Sequence, residues 1–280
     1  MDTQLDIRPS PIAGKWYPSN PERLAQSVDS YLEAAQLPEI HGEIVAIIVP
    51  HAGHIYSGPV AGYAFAAIRG LTPEIVTVVS PMHHPYLKPL LTSAHQAYAT
   101  PLGEIPIDIE ARNTLDEFLR EETGVGLSSV RNDPEHSLEI ELPFLQRVLP
   151  TGFRLLPIMV RDQSEPITRG LGRALARTLK NHASLLVAST DLSHFYTQHI
   201  AEKLDGVILQ EIEELNPAGI LEAEEAGKGF ACGKGALAAV MWAALALGAT
   251  HSQILHYATS GDVSGDFSQV VGYAAAVLTR

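Results

Sequence analysis

Three segments of the sequence put histidine, or aspartate plus histidine, directly after a run of core-type residues. Pro50-His51-Ala52-Gly53-His54 follows 44–49, Ser80-Pro81-Met82-His83-His84 follows 75–79, and Thr190-Asp191-Leu192-Ser193-His194 follows 185–189. Continuous β-branched and aliphatic runs of this length read as strands buried on both faces. In a parallel sheet the carboxyl ends of such strands share one edge, where open α/β sheets bind ligands. Neutral imidazoles gathered there suit Zn, Fe, Cu or Ni. The single cysteine, Cys232, lies in Lys228-Gly229-Phe230-Ala231-Cys232-Gly233-Lys234-Gly235, just before an almost wholly apolar stretch. A helix start and a nearby lysine predict a lowered thiol pKa, and the flanking glycines allow close approach to a ligand or metal. The alternatives are a cysteine that serves as a small buried hydrophobe and histidines that share no site.

Asp133-Pro134-Glu135-His136-Ser137-Leu138-Glu139 gathers acid and imidazole at an expected helix start. Asp133-Pro134 is also a good helix entry, so only His136 is expected near the site. Ser260-Gly261-Asp262 reads as a loop. Gly229 to Lys234 lacks the spacing and the Ser/Thr of a phosphate-binding loop, and no G-x-S-x-G elbow occurs. A triad from Ser189 or Ser193, His194 and Asp191 would need help from elsewhere, because its members lie too close in sequence.

The elements that must position these residues alternate between strand and helix. Helices are expected at 21–35, 58–68, 110–121, 167–180, 199–215, 217–226 and 236–247, and at 137–148 with Pro143 bending or interrupting it. Strands are expected at 44–49, 75–79, 154–160 and 185–189, with closing strands at 253–259 and 270–278. The stretch from Leu90 to Pro101 gives no clear pattern. No linker or repeat divides the chain, so residues 1–280 are expected to form a single α/β domain, with a mostly parallel central sheet flanked by helices.

The 280 residues carry 19 Lys and Arg against 32 Asp and Glu, a formal net charge of -13. Nucleic acid and anionic membranes are therefore not expected partners. No apolar run reaches the length of a membrane span. MDTQLDIRPS shows no secretory leader, and one cysteine makes no intrachain disulfide, so the protein is expected in the cytoplasm.

Taken in order, Ala13-Gly14-Lys15-Trp16-Tyr17-Pro18, Pro50-His51-Ala52-Gly53, Pro81-x-His83-His84, Glu135-His136-Ser137, Ser189-x-Asp191-x-Ser193-His194 and Ala231-Cys232-Gly233 resemble the Memo family. Its prokaryotic members are also known as the B component of the AmmeMemoRadiSam system. The resemblance covers essentially the whole chain. It implies a fold like that of the LigB-type class III extradiol dioxygenases. It also implies a metal site whose ligands fall here on His51, His83 and Cys232, with Asp191 and His194 lining the same pocket. Many members have Tyr where this chain has His54 and Ser where it has Met82. The Gly-Lys-Gly-Ala after Cys232 lacks a basic-His pair.

The expected function is a redox-type metalloprotein acting on or binding a small molecule or peptide. One metal is expected, Fe(II) ahead of Cu or Zn. His194 and His136 are expected as acid/base groups, with Asp191 orienting His194 or a bound water. A metal-dependent oxidoreductase of dioxygenase type and a zinc hydrolase are the enzymatic versions. A scaffold that binds a peptide or anionic ligand in the same pocket, as eukaryotic relatives bind phosphotyrosine peptides, is the competing one. The resemblance also implies radical-SAM and AMMECR-type proteins as partners.

Overall fold

Aliphatic runs with no polar alternation become central strands, because only a strand covered on both faces buries every side chain it carries. In the computed structural model, which describes residues 5–280, Ile44–Val49 is buried from its second residue and Ile75–Pro81 throughout. Residues 1–4 open the stretch in which no leader is expected, and they lie outside the described residues.

The strands are β1 (Ile7–Arg8), β2 (Ile44–Val49), β3 (Ile75–Pro81), β4 (Leu90–Ser93), β5 (Ala97–Thr100), β6 (Gly103–Pro106), β7 (Ser128–Val130), β8 (Arg154–Val160), β9 (Ser184–Ser189), β10 (His194–Tyr196), β11 (His251–Thr259) and β12 (Val270–Thr279). The helices are α1 (Pro21–Ala34), α2 (His54–Ala67), α3 (Ile109–Thr123), α4 (Leu142–Val148), α5 (Glu165–Leu179), α6 (Gln198–Glu213), α7 (Pro217–Glu225), α8 (Lys234–Ala246) and α9 (Gly261–Ser264).

The main sheet runs β10-β12-β2-β9-β3-β8-β4-β7, with β11 also on β12, and β1, β5 and β6 make a small second sheet. Strands β2, β9, β3 and β8 are mutually parallel, whereas β12 runs antiparallel to β2 and β4 antiparallel to β8. The fold is thus a single-domain α/β arrangement with a mixed sheet. Its parallel centre is the part the sequence predicts. Beyond it, β11 and β12 are joined by a short connection, which reverses the chain and makes them an antiparallel pair, where a parallel pair would need a crossover.

Alternation along each strand feeds two apolar layers. Ile47 and Val49 of β2 meet Leu24 and Val28 of α1, Phe65 of α2 and Phe144 of α4. Ala46 and Ile48 of β2 meet Leu171 and Leu175 of α5 and Leu237 and Val240 of α8. α1 is capped as its sequence predicts: Asn20 accepts from the Arg23 N–H, and Pro21 opens the helix.

Two helices differ from expectation. α4 is preceded by a short 3-10 turn, Glu139–Glu141, and Pro143 stands at its start. There the missing N–H costs nothing, so Pro143 opens the helix and does not bend it. α2 begins at His54, four positions before the expected 58 and with Pro59 inside it, and the His54 N–H donates to Trp16 O at 2.9 Å. That extra turn carries the His54 ring into the core.

The His54 Nε2–H donates to Ile140 O at 2.9 Å. The ring packs between Tyr17 and Phe144, 5.3 and 4.9 Å away between centroids, and its Nδ1 has no partner among the described residues. Burial pushes its pKa down from 6.5 to about 4. The folded state thus refuses a proton that the unfolded chain accepts. Stability from this group is complete above pH 6.5 and is lost as pH falls toward 4, by roughly 3 kcal/mol. His54→Phe should flatten the fall of Tm between pH 6.5 and 4 by about one proton's worth of slope. An unchanged slope would remove His54 from the acid response.

Candidate metal centre

Strand order decides which side chains meet. β9 lies between β2 and β3, so the carboxyl ends of these three parallel strands deliver His51, Ser189 with Asp191, and His83 to adjoining positions. The His51 N–H donates to Asp191 Oδ1 at 2.7 Å, which ties the loop after β2 to the loop after β9.

The His51 Nδ1–H donates to Ser189 Oγ at 2.9 Å. Ser189 also lies 2.6 Å from Ser137 O and 2.9 Å from Glu141 Oε1. It has one hydroxyl proton, which goes to the carbonyl. Burial holds the Glu141 carboxyl well above its usual range, so Glu141 keeps its proton and donates to Ser189. His51 itself is held well below 6.5, first by burial and then by repulsion from His136 and His83. Its Nε2 therefore carries the lone pair.

Glu135 organises the other two rings. Its carboxylate accepts from His83 N (2.6 Å), His83 Nδ1 (2.9 Å), His136 N (3.0 Å) and Ser137 N (3.0 Å). His136 Nδ1 stands 3.2 Å from the same oxygen, Oε1. Burial alone would raise the Glu135 pKa, but the His83 hydrogen bond and the other donors overcome it and hold the carboxyl well below its usual range. The His83 and His136 rings stack with centroids 5.0 Å apart, and Trp16 stacks on His136 at 4.0 Å. Burial lowers the His136 pKa to about 4, against the pull of Glu135. With each Nδ1 turned to an oxygen, Nε2 is the atom each ring has left to offer.

One ligand atom each from His51, His83 and His136 lies within 4.8 Å of the others. This donor set fits a transition metal: the three rings offer Nε2 atoms toward one another, and hydrogen bonds at the far nitrogens fix their orientation. The surroundings are anionic as well. Fully buried Arg8 donates to Asp133 at 2.9 and 3.0 Å and to Glu139 at 2.5 Å. Tyr17 donates to Glu139 at 2.7 Å, and Arg8 also donates to the carbonyl of Glu135 at 3.0 Å. One guanidinium thus faces two carboxylates, Asp133 and Glu139, a surplus of negative charge that a cation would offset.

Cys232 reaches the same place. Its thiol lies 3.2 Å from His51 Nε2, and its sulfur accepts from the Asp191 N–H at 3.3 Å. The expected lowering of its pKa is not found. Burial, and then the Asp191 carboxyl, push the thiol far up. Lys234 pairs with Glu224 and does not serve the sulfur, and Cys232 precedes Gly233, the cap residue of α8. The S–H therefore donates to the His51 lone pair.

Asp191 is buried and its pKa is raised by burial to about 7, against hydrogen bonds from the backbone of His51 and Ala52. It fixes the His51 loop and does not orient His194, whose Nδ1–H donates to Leu192 O at 2.8 Å. His194 packs against Phe195 and Phe230, with centroids 5.6 and 5.7 Å away, and burial lowers its pKa. His84 does not join the three-imidazole grouping. Arg8 and Glu141 escape sequence reasoning because isolated charged residues carry no spacing signal, whereas Glu139 closes the acid-and-imidazole segment that begins at Asp133. Glu135 stands inside the recognisable Glu135-His136-Ser137 motif and could have been found there.

A family model described as "Memo-like protein" matches residues 8–277. A MEMO1 family protein of Nitrosopumilus maritimus is 34% identical over 274 residues, covering 96% of this chain and 98% of the relative. One from Methanopyrus kandleri is 35% identical over 279 residues, with the same coverage of 96% and 98%. One from Methanosarcina barkeri is 33% identical over 276 residues, covering 97% and 100%. The crystal structure of an uncharacterized protein from Escherichia coli K12 superposes with a TM-score of 0.56 at 15% identity, over 84% of this chain and 100% of that one. That last likeness is one of fold.

Arg8→Met should cost about 3–5 kcal/mol in urea unfolding, because it strands Asp133 and Glu139 without a counter-charge in the interior. A loss below about 1 kcal/mol would mean that the buried network does not depend on Arg8.

Proposed function

This chain belongs to the Memo-like protein family, and on that footing we propose that its pocket holds one redox-active transition metal, Fe(II) ahead of Cu or Zn. The observation that carries the reading is the meeting of His51, His83 and His136 with their far nitrogens turned to oxygen partners. His51 and His83 are assigned as ligands, with Cys232 as the third. The 3.2 Å between its sulfur and His51 Nε2 is close to the separation of two donors bound at ~2.0 and ~2.3 Å to one tetrahedral ion. His136 stands beside them as a further nitrogen donor or proton carrier. Such a metal would supply one-electron chemistry or activation of a small molecule.

The chain's own residues set the terms of that chemistry. Glu135 holds the His83 ring in one orientation and the Ser189 hydroxyl holds the His51 ring. Asp191 fixes the backbone that carries His51. His194 has Nδ1 committed to Leu192 O, which leaves Nε2 to hold or pass a proton to a ligand in the pocket. Trp16 and Phe230 exclude water from the flanks of His136 and His194. The substrate or ligand is a small molecule or peptide. No helix among the described residues is long and apolar enough to cross a membrane, and the lone free thiol supports a cytoplasmic setting.

Metal analysis of protein purified without air tests the assignment. Wild type should carry about one metal per chain. His51→Ala and Cys232→Ser should each lose most of it, and full occupancy in both variants would falsify the proposal. Absorption and paramagnetic spectra separate Fe or Cu from Zn, which is silent. Glu135→Gln should keep the fold but weaken metal affinity about 10–100-fold, through loss of ring orientation and basicity at His83. An unchanged affinity in a chelator competition would deny Glu135 that role.

A further inference from the structure

His194 owes its setting to a residue that no motif marks. Asp205 stands on α6, 12 residues beyond Ser193, and is wholly buried, where aspartate is rare unless it is paired. Each of its oxygens meets a donor: the Ser193 N–H reaches Oδ1 at 2.8 Å, and the Tyr257 hydroxyl reaches Oδ2 at 2.8 Å. Burial raises the Asp205 pKa, and these donors oppose the rise. Burial, and then the Asp205 carboxylate, push the Tyr257 pKa far up, so the phenol keeps its proton and donates.

Room for this carboxyl comes from β12. Gly272 has no side chain, and a Cβ built there would fall on Asp205 Oδ2. The same glycine grips the segment before His194. The Leu192 N–H donates to Gly272 O and the Gly272 N–H donates to Ser193 O, both at 2.9 Å.

The Leu192 carbonyl and the Ser193 N–H are the two ends of one peptide group. Asp205 takes the N–H, and the carbonyl accepts from the His194 Nδ1–H at 2.8 Å. A planar trans peptide points its N–H and C=O in opposite directions. Carboxylate, peptide and imidazole therefore stand in one chain of hydrogen bonds. The anion at the N–H end leaves the carbonyl oxygen more negative, so each bond strengthens the next. The stronger acceptor in turn decides which ring nitrogen carries the proton. Directly after the ring, Phe195 has φ +63°, and β10 shifts its register against β12. A left-handed phenylalanine persists only where its surroundings over-determine the backbone, and the hold on Leu192 and Ser193 supplies that.

We propose that Asp205 is a positioning residue for His194, acting through the peptide between Leu192 and Ser193 to keep the ring's proton on Nδ1 and its Nε2 lone pair free for the pocket. The use of that lone pair rests on the proton-carrying role proposed above for His194. The relay itself is read from the ring's own proton, with no metal required, so a failed metal centre leaves this test intact.

NMR of the full chain with isotope-labelled histidine, at about pH 8 where the ring is neutral, reads the tautomer with and without diamagnetic Zn(II). Loss of signals in His194→Gln assigns the ring. Wild type should carry the proton on Nδ1 in both samples. Asp205→Ala, and Gly272→Ala, which displaces the carboxyl, should each lower the ratio of Nδ1–H to Nε2–H about fivefold, the worth of one net hydrogen bond. Asp205→Asn should keep the wild-type ratio, because its amide oxygen still accepts from Ser193 and its amide N–H donates to Tyr257 Oη. Ile212→Ala, buried on the same helix, loosens α6 without removing any partner of this peptide and should also keep it. A wild-type ring protonated at Nε2 overturns the proposal, whether or not the variants fold. So does an unaltered ratio in Asp205→Ala, or an equal fall in Ile212→Ala.

Discussion

One buried carboxylate sets the arrangement of the pocket. Glu135 accepts backbone and ring hydrogen bonds from His83, and backbone hydrogen bonds from His136 and Ser137. Two imidazoles are thereby aimed by the same anion, and their stacking follows from that shared anchor. A carboxylate taken out of water needs this many donors to stay ionised. The same donors that keep Glu135 charged are the ones that hold the rings.

Glu135 is in turn held by a second layer. Arg8 grips Asp133 with two hydrogen bonds and reaches the Glu135 carbonyl, so the loop carrying Glu135 and His136 is pinned on both sides. Asn132, with φ +52°, takes the left-handed conformation that starts this loop, one that asparagine tolerates better than most residues. His95 and Arg131 share Asp6, which fastens the segment leading to β1 beside the same loop. The pocket is therefore built inward from a strand of two residues at the edge of the small sheet.

Much of this was legible in the sequence. The phase of His51, His83 and His194 relative to their strands could be read, because the strands are buried on both faces and polar residues follow each aliphatic run directly. The order β2-β9-β3 is not in that phase; it comes from the parallel pairing the structure shows. β4, β5 and β6 were not legible, since four-residue strands carry too little pattern. Nor was the reversal of β12, which depends on a connection and not on periodicity. The position of Cys232 beside His51 was foreseen, but its protonation was not. Helix-end and lysine arguments assume an open site, and here burial outweighs both. Asp191 stands at the expected edge but meets the His51 backbone N–H and not the His194 ring, because a one-residue difference in a loop decides whether a carboxylate meets a ring or a backbone N–H.

The sulfur of Cys232 sits 3.2 Å from a ring 181 residues earlier in the chain. Arg8 meets Asp133 across a separation of 125. Local folding cannot assemble such contacts. During synthesis the first histidines emerge long before the cysteine that faces them, and domains complete only as their last elements leave the ribosome. A nascent chain thus offers loose imidazoles, and the pocket that gathers them takes shape only in the released polypeptide.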